Sequence, residues 1–231
     1  MTFILSEGLA LLPLIVGVLA VVFIPFVSKV PEWFATLVHE IGHGVIAIPF
    51  GGFIGGIKVN SDGSGSADTK YAGGLLYKPV RIISLLMGYA FPVYIGIALL
   101  ISAYYENTSV GGWILGIMGI LVLFCIRNLF GLLIVIGYEA LFVTFFVLNV
   151  GDTLTFMTFV GLLFIVRGLI DFIMVAPLVF GEDTDEDETD FHLLRDEALL
   201  PRQFWYVFFI LFHGIILHFF FTNIFTFSIS F

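Results

Sequence analysis

The chain has 231 residues and a net charge of −9; 60% of its residues are apolar, only 12% are charged, and the mean hydropathy is +1.11. Such values exclude a soluble globular domain and point to a polytopic membrane protein of one domain spanning residues 1–231. The acidic balance disfavours nucleic acid as a partner, and the single cysteine, Cys125, leaves no disulfide within the chain and no cysteine metal cluster.

Residues 9–28 form the first apolar run. No basic segment precedes it, so it reads as a retained span rather than a cleaved signal. The second run, residues 33–50, contains His39, Glu40 and His43 in a His-Glu-x-x-His pattern on an apolar helix. Residues four apart share a helix face, so both imidazoles can grip one metal ion, and Glu40 is placed to take a proton from an activated water. Nothing else between Trp33 and Ile48 ionises. Three ionisable groups at membrane depth are costly without a partner, and a zinc ion satisfies two histidines together. The alternative is a pair of core histidines hydrogen-bonded to neighbouring helices, with Glu40 sharing their proton.

Residues 51–78 are rich in glycine and short polar side chains, which suit tight turns or a small hairpin with residues 57–59 as one strand. This segment is either a flexible linker or a backbone edge beside the metal helix that holds an extended peptide by strand addition. Further apolar runs cover residues 82–104, 111–126, 129–148, 154–180 and 204–222, giving about seven transmembrane helices in an all-α fold with a Gly-rich cytoplasmic loop or hairpin. The fourth and fifth are separated only by Arg127 and Asn128 and can also form one broken unit. Trp33, Trp113 and Trp205 each fall at the start of a run, where an indole with one wet end prefers to sit.

Glu139, Arg167 and Asp171 lie inside the later spans. Arg167 and Asp171 are four apart and can neutralise each other, with Glu139 joining from the adjacent span, which makes a structural cluster. His213 and His218 are five apart, share no face well, and are expected to hydrogen-bond locally. Six of the acidic residues lie between Glu182 and Glu188, so the charge excess belongs to one loop. The basic residues Lys58, Lys70, Lys78, Arg81, Arg127, Arg195 and Arg202 fall on the N-terminal side of seven spans and only Lys29 on the other. This puts the N-terminus in the cytoplasm and the C-terminus outside an inner (plasma) membrane.

The stretch Val38-His39-Glu40-Ile41-Gly42-His43-Gly44, followed by Pro49-Phe50-Gly51-Gly52-Phe53 and Asn60-Ser61-Asp62-Gly63-Ser64-Gly65, resembles the site-2-protease-like intramembrane metallopeptidases of the small bacterial type. Met87-Gly88-Tyr89-Ala90-Phe91-Pro92 resembles that group's Ala-Gly-Tyr-x-x-Pro, and Arg127-Asn128-Leu129-Phe130-Gly131 its Arg-Asn-x-Phe-Gly. Thr189-Asp190-Phe191-His192-Leu193-Leu194 is similar to its Ser-Asp-Ala-x-x-Leu-Ala segment. The resemblance implies a zinc-dependent endopeptidase acting on membrane-protein or transmembrane-peptide substrates within the bilayer. In one respect the chain departs from the group: the Asp of a Leu-Asp-Gly or Asn-Pro-Asp-Gly context, the usual third zinc ligand, has no counterpart in a later span.

Two aspartates compete for that third position, Asp190 ahead of Asp171, since a catalytic zinc usually keeps three protein ligands and one open site. Asp190 matches the Ser-Asp-Ala-type segment, although it is also placed to cap a short polar helix over residues 191–199. Asp171 lies at the depth of His43, but Arg167 one turn earlier competes for it. If neither binds, Glu139 or a water completes the site. The rival to an enzyme is a non-enzymatic membrane protein, either an inactive relative that binds helices or a metal-binding transport component.

Overall fold

The computed structural model describes residues 8–25, 27–182 and 189–225. Every apolar run forms a helix: α1 (Gly8–Phe23), α2 (Lys29–Ala47), α3 (Tyr77–Tyr104), α4 (Thr108–Cys125), α5 (Leu129–Phe142), α6 (Thr153–Met174) with the short α7 (Ala176–Phe180), and α9 (Arg202–Phe225). Between α7 and α9 lies α8 (Asp190–Ala198), and between α2 and α3 lie the strands β1 (Phe53–Val59) and β2 (Gly65–Lys70). The all-α membrane architecture holds, with the glycine segment as its hairpin.

Among the described residues, five helical stretches are long and apolar enough to cross a bilayer: Tyr77–Tyr104, Thr108–Cys125, Leu129–Val147, Thr153–Phe180 and Arg202–Phe219. The expected count of seven is not reached on this criterion, since α1 has only 16 residues and the polar side chains of α2 dilute its hydropathy. Residues 111–148 are two helices rather than one broken span, because Ile126 and Asn128 are extended and stop α4 before α5 begins.

α3 is the central element, flanked by α2 on one side and α6 on the other. It meets α6 at backbone distance: a Cβ on Gly96 would lie 2.5 Å from the carbonyl oxygen of Gly161, so only glycine permits the approach. Leu37, Val38 and Ile41 of α2 share a core with Ile57 and Val59 of β1, Leu99 of α3 and Leu115 of α4. A second, aromatic core joins α6, α8 and α9 through Phe172, Phe191, Tyr206 and Phe209.

β1 and β2 pair antiparallel from Phe53↔Lys70 to Val59↔Gly65, with a bulge between Ile54 and Gly56. The hairpin runs back along α2 rather than projecting into solvent. Ile54 packs at Gly44, Thr36 donates to the Gly63 oxygen (2.9 Å), Trp33 Nε1 donates to the Ser61 oxygen (3.2 Å), and Lys29 Nζ donates to the Asp62 oxygen (3.1 Å). α2 is roughly 28 Å long at 1.5 Å per residue, so the hairpin tip sits at the opposite end of α2 from the point where β1 begins. At the tip the polypeptide re-enters alongside α2, and the Asp62 oxygen meets Lys29 there. At the tip Asp62 Oδ1 accepts from the Ser64 N–H (2.9 Å) and hydroxyl (2.7 Å). Those two bonds hold the Asp62 carboxyl below the usual carboxylate range.

Only one edge of this two-stranded sheet is covered among the described residues. On the β1 side the Arg127 N–H donates to the Ile57 oxygen (2.9 Å). The Asn128 amide grips both backbone groups of Val59, accepting its N–H at 3.3 Å and donating to its oxygen at 2.6 Å. The extended residues between α4 and α5 thus imitate a third strand. The outer edge of β2 has no such partner and faces a cavity.

Candidate metal centre

That cavity, about 670 Å³, is walled on one side by Gly65 to Thr69 of β2 and on the other by side chains of α2, α3 and α8. His39, Glu40 and His43 reach it from α2, where the three-residue and four-residue spacings place them along one side of the helix. His43 is fixed by α3: its Nδ1 lies 2.9 Å from the Ser84 oxygen, and the Ser84 hydroxyl donates to the His43 backbone oxygen at 2.6 Å. The carbonyl can only accept, so Nδ1 carries the hydrogen and Nε2 presents a lone pair to the cavity. Tyr71 extends this chain, its hydroxyl donating to Ser84 Oγ at 2.8 Å. Gly88, one turn beyond Ser84, lets α3 pass against both rings, since a Cβ there would lie 2.5 Å from His43 Cε1 and 2.8 Å from His39 Cε1.

Asp190 enters from α8. Thr189 is the N-cap of this helix, in a capping box with His192. The cap position expected of Asp190 is therefore taken by its neighbour, and the Asp190 carboxylate is free to leave the helix. Phe191 anchors the turn in the aromatic core, stacked on Tyr89 at 5.4 Å. Arg81 of α3 pairs with Glu197 at 2.7 Å, and buried Arg202 contacts His192 and donates to the Gly181 oxygen at 2.5 Å. Together these contacts hold α8 over the cavity.

The result is a triangle of ligand atoms. His39 Nε2 and His43 Nε2 are 3.1 Å apart, and Asp190 Oδ2 lies 3.2 Å from the first and 3.4 Å from the second. Bonds of about 2.0–2.1 Å to a tetrahedral zinc put neighbouring ligand atoms roughly 3.3 Å from one another. The donor set fits such an ion. Asp190 Oδ2 is buried without a hydrogen bond, and three ligand atoms converging on one point are a set that a cation would satisfy. Burial pushes the Asp190 carboxyl up, but His43 and His39 beside it outweigh this and hold it well below the usual carboxylate range. The Glu40 carboxylate abuts Gly65 at the start of β2, next to this triangle and 7% exposed.

The other candidates stand elsewhere. Asp171 pairs with Arg167 at 2.6 Å, as the spacing on α6 predicts. Glu139 does not join them; its place is taken by Glu32 of α2, 3.8 Å from Arg167 and also paired with Lys29 at 3.1 Å. Glu139 faces Gly119 of α4, and its Oε1 is buried with no hydrogen bond. The reason is geometric: α5 packs on α4, and its carboxylate lies against Gly119 there. His213 hydrogen-bonds within α9 to the Phe209 oxygen at 2.9 Å, as expected, and His218 is exposed. The acidic run over residues 183–188 lies outside the described residues. Ser84, Tyr71 and Glu32 escaped the sequence reading, although a serine within an apolar run, one turn from Gly88, was a usable signal.

No curated protein and no solved structure matches the chain. The family model described as Peptidase M50B-like matches residues 12–220, almost the whole chain. On a chain with apolar helices, a His-Glu-x-x-His helix and a His-His-Asp cluster, this match shows the family: the protein belongs to the Peptidase M50B-like, site-2-protease-like family.

Proposed function

We propose that the protein is a zinc-dependent intramembrane endopeptidase of an inner membrane, with His39, His43 and Asp190 as metal ligands and Glu40 as general base. The observation that carries this reading is the triangle of ligand atoms, three lone-pair atoms 3.1–3.4 Å apart with one buried glutamate beside them. A zinc ion held there supplies a Lewis acid that polarises a carbonyl and lowers the pKa of a water toward ~7. Glu40 takes the proton from the attacking water as its oxygen adds to the carbonyl carbon. When the carbon–nitrogen bond breaks, Glu40 returns that proton to the leaving amine, so a new carboxyl and a new amine are the products.

The substrate is a membrane protein or transmembrane peptide whose cleavable segment has unwound. An extended chain fits along the open edge of β2, where main-chain hydrogen bonds supply affinity without demanding a particular sequence. The short side chains of Gly65, Ser66 and Ala67 leave room for it in the cavity. The Ser84 carbonyl keeps His43 in the tautomer that a metal needs, and Asn128 keeps β1 from offering a competing edge.

The test uses detergent-purified protein and a single-span model peptide with a helix-breaking residue in its span. Glu40→Gln should keep its zinc while cleavage falls by ~10²- to 10⁴-fold, the range for loss of a general base. His39→Ala should lose both. A wild-type protein without zinc, or a Glu40→Gln variant as active as wild type, overturns the reading in favour of a helix-binding or transport protein.

A further inference from the structure

Three tyrosines line the metal cavity, and two have hydroxyls held by neighbours: Tyr71 donates to Ser84 Oγ at 2.8 Å, and Tyr77 accepts from Arg81 Nη1 at 2.8 Å. The third, Tyr89 on α3, is different. Its ring is fixed on several sides, edge-on to His39 with centroids 4.7 Å apart, stacked on Phe191 at 5.4 Å, and bordered by Phe172 and Phe209. The residue lines the cavity, its ring lies beside the first histidine and against the residue that follows Asp190, and its hydroxyl makes no hydrogen bond among the described residues.

A tyrosine hydroxyl is a neutral donor, whereas Glu40 and Asp190 are carboxylates and the two Nε2 atoms are the ones a metal would take up. Hydrolysis of a peptide bond places negative charge on the carbonyl oxygen, which needs a preorganised donor in a site where bulk water is scarce. We propose that the Tyr89 hydroxyl donates a hydrogen bond to the carbonyl oxygen of the scissile peptide as it becomes an oxyanion. The inference rests on the peptidase reading above. Tyr89 keeps its proton throughout; Glu40 alone moves the water's proton. The rigid packing of the ring serves this role, because a donor that must reorient during the reaction stabilises less than one already aimed. The ring also seats His39 and Phe191, so the hydroxyl has to be tested separately from the ring.

Tyr89→Phe retains the ring and removes only the hydroxyl. In zinc-loaded protein, this variant should bind wild-type amounts of zinc and bind a hydroxamate peptide as tightly as wild type does. It should lose ~10²- to 10³-fold in kcat on the model peptide, as removal of one oxyanion donor does, with KM little changed. Its affinity for a phosphonamidate peptide, whose tetrahedral oxyanion mimics the developing charge, should fall by a similar factor. Equal phosphonamidate affinity in variant and wild type overturns the proposal, as does loss of zinc by Tyr89→Phe, which would make Tyr89 a support for His39. The phosphonamidate comparison stands even if wild type cleaves nothing. In that case the peptidase reading falls while the donor is still judged, and a wild type that binds no phosphonamidate overturns the donor as well.

Discussion

At the scale of single residues, the centre depends on which carboxylate completes it. Asp190 Oδ2 lies within 3.4 Å of both histidine Nε2 atoms, whereas Asp171 is held at 2.6 Å by Arg167. Asp190→Ala should therefore weaken zinc binding by more than the ~10 to 100-fold expected of a supporting partner, and Asp171→Ala by no more than that range. Equilibrium titration with a zinc chelator measures both, and equal retention by the two variants would remove Asp190 from the ligand set. Asp190 was legible in the sequence as the first of two contenders. The geometry that brings it in was not, because it depends on Thr189 taking the cap of α8 and on Phe191 anchoring the turn.

Among the elements, the hairpin is the one whose position defines the active face. Asn128 satisfies both backbone groups of Val59, a residue with no exposed surface. Asn128→Ala strands that N–H and C=O in the core, and an unsatisfied buried group costs about 1–3 kcal/mol. Hydrogen exchange at Ile57 and Val59 should accelerate by roughly 10- to 100-fold, the equivalent of ~1.4–2.7 kcal/mol of local opening. Unchanged protection would mean that β1 is held by its core contacts alone. Glycine content announced a turn-rich segment, and Ile57 to Val59 was recognisable as strand. The direction of the hairpin was not, since the contacts that turn it back along α2 are made by Lys29, Trp33 and Thr36 to backbone atoms.

For the molecule as a whole, the remaining proposal is orientation, with the cavity mouth and α8 on the cytoplasmic side. In a Cys125→Ala background, a cysteine at Leu75, which is 95% exposed between β2 and α3, should react with a membrane-impermeant maleimide only from the cytoplasmic side. A reporter fused after Phe231 should report the opposite side. Labelling of Leu75→Cys from outside would invert the topology, while both sites reporting the same side would mean that the number of crossings is even.

The sequence by itself determined the membrane class, the helical runs, and the pair of histidines with their glutamate, because hydropathy and a four-residue helical spacing are local properties of the chain. Only the tertiary structure decided the rest: that Asp190 rather than Asp171 meets the histidines, that Glu32 rather than Glu139 completes the charge cluster around Arg167, and that one hairpin edge is sealed and the other open. Each of these is a contact between segments tens of residues apart. Such contacts are chosen by packing and by which neighbour claims a polar group first, and no local period in the sequence records that competition.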